Sequence, residues 1–101
     1  MDGSPETKAR LHLLLSADAG AVDDCLAVLQ AGDAVLLADR GVRLVLRPEA
    51  MGRLCSAAGK VLAATADLEA RGLSAPEAIV AIDDDGWARL VRDHAASLSW
   101  T

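Results

Sequence analysis

"LHLLLSADAGAVDDCLAVLQAGDAVLLADRG", Leu11 to Gly41, carries the pattern on which the fold turns. Leu11 to Leu15 is a short apolar run bounded by Ser16, Asp18 and Gly20, the profile of a strand buried on both faces. Val22, Cys25, Leu26 and Leu29 then recur at i, i+3, i+4 and i+7, which predicts an amphipathic helix opening near Val22. Asp23 and Asp24 fall off that stripe, in the expected first turn, where negative charge suits the positive end of the helix dipole. Gly32 is the expected stop. Ala34 to Ala38 is a second buried run, closed by the turn-like "DRG" of Asp39 to Gly41. Strand, helix and strand in this order describe a βαβ unit with parallel strands.

The alternation continues to the far end. Val42 to Leu46 suits either a strand extension or a helix. Pro48 suits the first position of a helix carrying Met51, Leu54 and Cys55, with Gly59 as its stop. Lys60 to Thr65 reads as a third strand, followed by a short helix capped by Asp67 and ended by Gly72. Ala78 to Asp83 reads as a fourth strand. Trp87, Leu90, Val91 and His94 mark another helix, and Ser97 to Trp100 a terminal strand. Residues 1–9 are polar and read as a disordered leader, leaving one domain over residues 10–101. The order specifies an open α/β sheet with helices on both faces. Function in such sheets gathers at the carboxyl ends of strands, here "SADAG", "DRG", "TADLEARG" and "DDDG".

Composition bounds the chemistry. The chain has 101 residues, 52% of them hydrophobic, with two Trp and no Phe or Tyr, so its core is aliphatic. No apolar run approaches the roughly 20 residues that span a bilayer. "MDGSPETKAR" lacks the basic and apolar regions of a signal peptide, and a cytoplasmic location is expected, with Cys25 and Cys55 as free thiols. A formal charge of −5 and scattered basic residues argue against direct nucleic-acid binding. The nearest approach to a basic cluster is Arg40, Arg43 and Arg47, then Arg89 and Arg92.

Cofactor signatures are absent. "SADAG" places a carboxylate where a phosphate cradle wants bare backbone N–H groups, so no nucleotide or flavin is expected. His12, Cys25, Cys55 and His94 lack the short paired spacing of a zinc site, and no metal is expected. His12, inside an apolar strand, reads as a hydrogen-bonded core histidine. The acidic "IDDDG" reads as a helix cap, with Asp84 or Asp85 accepting N–H bonds. Cys25 is the one reactive candidate. A helix N-terminus would favour its thiolate, two neighbouring aspartates would oppose it, and its place on the apolar stripe favours a core residue. Cys55, mid-helix between Leu54 and Ser56, reads as core.

Four segments together resemble the DsrH/TusB family of small sulfur-relay subunits: "LHLLLS", "GDAVLLADRGV" (Gly32 to Val42), "DLEARGL" (Asp67 to Leu73) and "IDDDGWARLVRDHAASLSW" (Ile82 to Trp100). They fall in the family's order and spacing across nearly all of residues 11 to 100. "DLEARGL" with the terminal Ser-Trp is the most specific part. The resemblance implies a DsrE/F/H-like three-layer sandwich with a mainly parallel five-stranded sheet. It also implies assembly with TusC/DsrF-like and TusD/DsrE-like paralogous subunits. Such a complex passes persulfide sulfur between proteins and on to a downstream acceptor protein. The end use it implies is 2-thiolation of the tRNA wobble uridine, or dissimilatory sulfur oxidation in the DsrH branch.

In both kinds of complex the main sulfur-accepting cysteine belongs to the TusD or DsrE subunit. "DDCL" matches the D-x-C-L context of the DsrH branch, which makes Cys25 a candidate persulfide carrier; the alternative is a non-reactive structural adaptor. Neither metal nor cofactor is required. Asp39, Arg40, Gly41, Arg71 and Trp100 are the candidate interface residues. The chain departs from the family at "RGV", where Arg40 replaces the usual Asp, and at Asp84 and Arg43, where the family carries aromatics.

Overall fold

The structure, a computed structural model, describes residues 9–101, so the leader expected over residues 1–9 lies outside the described residues except for Ala9. Strand β1 is Leu11–Leu14, followed by helix α1 at Ala19–Val28 and strand β2 at Ala34–Leu37. A 3-10 helix, Asp39–Leu46, resolves the ambiguous Val42 to Leu46 stretch and leads into α2, Pro48–Ala57. Then come β3 (Lys60–Ala64), α3 (Thr65–Ala70), β4 (Val80–Ile82), α4 (Asp84–Arg92) and β5 (Ser97–Trp100). The five strands form one sheet in the order β4-β3-β2-β1-β5, and every pairing is parallel.

The chain steps outward from β1 through β4, then crosses the whole sheet to add β5 on the other side of β1. Parallel strands joined by right-handed crossovers put the helices of the outward run on one face and the returning helix on the other. The two layers of core follow. Leu14, Val35, Leu37, Val61 and Ala63 meet Val22 and Cys25 of α1, Val42 and Leu44 of the 3-10 helix, Met51 and Leu54 of α2, and Leu68 of α3. On the opposite face Leu11, Ala34, Leu36 and Leu62 are covered by α4 through Leu90 and Trp87. All four residues of β2 are buried, as a central strand between two helical layers must be. Each fully buried leucine contributes roughly 1.5–3 kcal/mol relative to exposure.

Two local devices hold the carboxyl ends of β1 to β3 together. Gly41 packs so closely on the end of β1 that a Cβ there would run into the carbonyl of Leu14. Asp39, two residues before it, sits at φ 51°, a left-handed conformation that aspartate tolerates better than most residues. At the end of α3, Gly72 takes φ 66° while Leu73 N–H bonds the Leu68 carbonyl at 2.9 Å and Gly72 N–H the Glu69 carbonyl at 3.1 Å. That pair of bonds is a Schellman closure, which glycine accommodates without strain.

Some boundaries differ from the sequence expectations. Helix α1 begins at Ala19, so Asp23 and Asp24 lie mid-helix rather than in a first turn, and it ends at Val28 with Leu29 as its cap, ahead of Gly32. The small residues Ala19, Gly20 and Ala21 carry the helix a turn further back than the apolar stripe showed. Asp67 does not cap α3; its carboxylate accepts the Asp39 N–H at 2.8 Å. The cap of α4 is Asp83, accepting from Gly86 N–H at 2.8 Å, rather than Asp84 or Asp85. His94 lies beyond the last residue of α4, with Nδ1 2.7 Å from the Leu90 carbonyl.

Candidate functional site

Cys25 is the seventh of the ten residues of α1, in the helix's second half, and its side chain is fully buried at 0% exposure. The favourable N-terminal dipole therefore does not act on it. Burial, reinforced by the negative charge of Asp33, pushes the thiol up to about 11. At neutral pH the thiolate fraction is on the order of 10⁻⁴, and a protonated thiol is a poor nucleophile. The apolar stripe's reading of Cys25 as a core residue agrees with this burial, whereas Cys55, expected in the core, is exposed on α2. It borders an apolar groove of about 290 Å³ lined by Val45, Pro48, Met51, Pro76 and Ala78. The stripe through Met51 and Leu54 faces the sheet, and Cys55 lies just off it.

Beside Cys25 the parallel register assembles a buried polar chain. Leu11 pairs with Ala34, which sets Asp33 next to Arg10 at the amino ends of β1 and β2. Asp33 accepts from Arg10 N–H at 2.9 Å, from Gln30 N–H at 3.1 Å, and from His12 Nε2 at 2.9 Å. The other nitrogen of His12, Nδ1, accepts from the indole N–H of Trp100 at 3.1 Å. The two rings lie nearly parallel, 6.1 Å apart at an interplanar angle of 13°. Burial acts to raise the Asp33 carboxyl, but the hydrogen bonds from Arg10, His12 and Gln30 outweigh it and hold the group below its ordinary range. Asp33, His12 and Trp100 thus form one chain of hydrogen bonds with the imidazole at its closed centre. His12 is fully buried, with both ring nitrogens occupied. The arrangement ties three strands together.

The interface candidates separate into four places. Asp39 and Arg71 meet at the carboxyl ends of β2 and β3, with Arg71 Nη2 donating to Asp39 Oδ1 at 3.0 Å on the surface. Asp67 holds the backbone of Asp39 beneath them. Gly41 is buried against β1, where it serves the close approach already described. Trp100, half-buried on the edge strand β5, divides its surface between the core and His12. Arg40 turns to a different neighbour from Asp39 and lines a polar cleft of about 430 Å³ with Arg43, Arg47 and the segment Ser16 to Asp18. The sequence spacing had marked these three arginines, but only as the nearest thing to a cluster.

Among the described residues no group of three or more His, Cys, Asp and Glu side chains lies close enough to hold a metal ion. No helix of the described residues is long and apolar enough to cross a membrane. The protein-family model described as "DsrH like protein" matches residues 16–97 of the chain. No curated protein matches it.

Proposed function

We propose that this chain, which belongs to the DsrH-like family, serves in a sulfur-relay complex as the subunit that positions its sulfur-bearing paralogues. The partners proposed are TusC/DsrF-like and TusD/DsrE-like chains. The burial of Cys25 is the observation that carries the positioning role. Persulfide transfer needs a thiolate that attacks the outer sulfur of a donor persulfide and expels the donor's thiolate. A closed, protonated Cys25 supplies neither the charge nor the access. For Cys25 to act as a carrier itself, the buried face of α1 would have to part from β1 and β5. The proposed end use is 2-thiolation of tRNA wobble uridine; sulfite-reductase-like gene neighbours would instead favour dissimilatory sulfur oxidation.

Surface candidates for docking the paralogues are the exposed Asp39–Arg71 pair and the edge strand that bears Trp100. Co-expression with TusC- and TusD-like chains tests the reading. Cys25→Ala should leave both the assembly and its sulfur throughput at the wild-type level, whereas omitting the chain should abolish the assembly. Loss of throughput with Cys25→Ala in an intact assembly would overturn the positioning role.

A further inference from the structure

Arg40 and Arg43 stand three residues apart on the 3-10 helix, whose period of about three residues per turn stacks such side chains in one row. Both are exposed, and among the described residues neither forms an ion pair. Like charges aligned in this way repel one another, in a chain whose net charge is −5. Arg47 joins them in the cleft, anchored there by its Nη1 bond to the Ala17 carbonyl at 3.1 Å. The one carboxylate in the lining, Asp18, leaves the cleft net positive.

The opposite wall is the loop after β1 and the start of α1. Asp18 occupies the N-cap position but makes no side-chain capping bond, and Ala19 and Gly20 are exposed. The start of this ten-residue helix thus follows directly on the cleft wall formed by Ser16, Ala17 and Asp18. The cleft thus lies at the carboxyl ends of the paired strands β1 and β2, between the loop after one and the 3-10 helix after the other. Ligands of open parallel sheets collect outside the carboxyl ends of the strands.

We infer that the cleft formed by Arg40, Arg43, Arg47 and the Ser16–Asp18 loop binds a small dianionic oxyanion of the phosphate or sulfate class. The guanidinium forks supply paired charge-assisted donors. The missing glycines of "SADAG" do not count against this. Here the cradle comes chiefly from side chains of the neighbouring 3-10 helix, which a search for a glycine-rich loop does not detect. The inference is independent of the relay reading.

The test is a titration of the full-length ¹⁵N-labelled chain with inorganic phosphate, at ionic strength held constant with chloride. Saturable amide shifts are expected over residues 16–21 and 40–43. Arg40→Ala with Arg43→Ala should weaken binding at least about tenfold, because both charge-assisted forks are lost. Arg40→Lys with Arg43→Lys, which keeps charge but loses the fork, should bind with intermediate affinity. The dispersed spectra report folding of each variant directly. A nucleoside 5′-monophosphate that binds as phosphate does would support recognition of the free dianion; tighter binding would identify a phosphoester as its source. Non-saturating shifts, or saturable shifts that survive the double alanine variant, would overturn the site. So would a response confined to an acidic peptide, because that would make the cleft a protein-docking surface.

Discussion

The indole N–H of Trp100 donates to Nδ1 of His12 across 3.1 Å, so the last strand is joined to the first by a side chain as well as by their parallel pairing. In the neutral ring this leaves the proton on Nε2, which donates to Asp33 at 2.9 Å. Trp100→Phe keeps the aromatic ring but removes the donor and strands a buried acceptor. The expected cost is about 1–3 kcal/mol. Urea denaturation should show a lower midpoint with an unchanged slope; a midpoint equal to wild type would contradict the assignment.

Asp33 makes stability acid-sensitive. Its carboxyl is lowered by folding, whereas in the unfolded chain it titrates near its ordinary value of about 3.9. The stabilisation is therefore present above about pH 4 and is lost as pH falls through the folded-state value. Asp33→Asn should be less stable than wild type at pH 7, and should lose less on going below about pH 4. Parallel acid limbs in the two proteins would show that another carboxylate governs the decline.

The two thiols should differ sharply. Ellman's reagent should modify Cys55 rapidly in the folded chain and Cys25 only after unfolding, because one is exposed and the other closed. The alkaline limb carries a second signature. Folding raises Cys25 from 9.0 to about 11, so the unfolded chain loses this proton first as pH rises. Stability should fall between those values by on the order of 2 kcal/mol. Cys25→Ala, costing about 1 kcal/mol near neutrality, should abolish that part of the slope. Rapid modification of Cys25 in the native protein would contradict the burial argument.

Gly41→Ala should be among the most damaging small substitutions. The added methyl group meets the Leu14 carbonyl, which belongs to a central strand and has little room to yield. The expected loss is about 1–3 kcal/mol or more, read from thermal or urea unfolding. A neutral result would mean that the 3-10 helix can lift away from β1 without penalty.

The layer order was legible because buried parallel strands leave unbroken apolar runs, as in "LHLLL" and "AVLLA", and these alternate with helical spacing. What remained hidden depends on side chains distant in sequence. His12 was recognisable as a core histidine, but its partners Asp33 and Trp100 are 21 and 88 residues away and are selected by strand register. The start of α1 was misplaced because Ala19 to Ala21 lack the bulk that makes a stripe visible. That error put Cys25 beside a helix N-terminus and raised its apparent reactivity. Cys55 is the converse case: its place beside Leu54 suggested the core, but only Met51 and Leu54 of α2 are buried.

The most direct measurement is site-resolved mass spectrometry of the chain assembled with its proposed paralogues, after loading by a cysteine desulfurase and cysteine. The positioning account predicts an added sulfur atom on a cysteine of the TusD/DsrE-like partner and none on Cys25. An added sulfur on Cys25, lost when the downstream acceptor is supplied, would contradict it and make this chain a carrier.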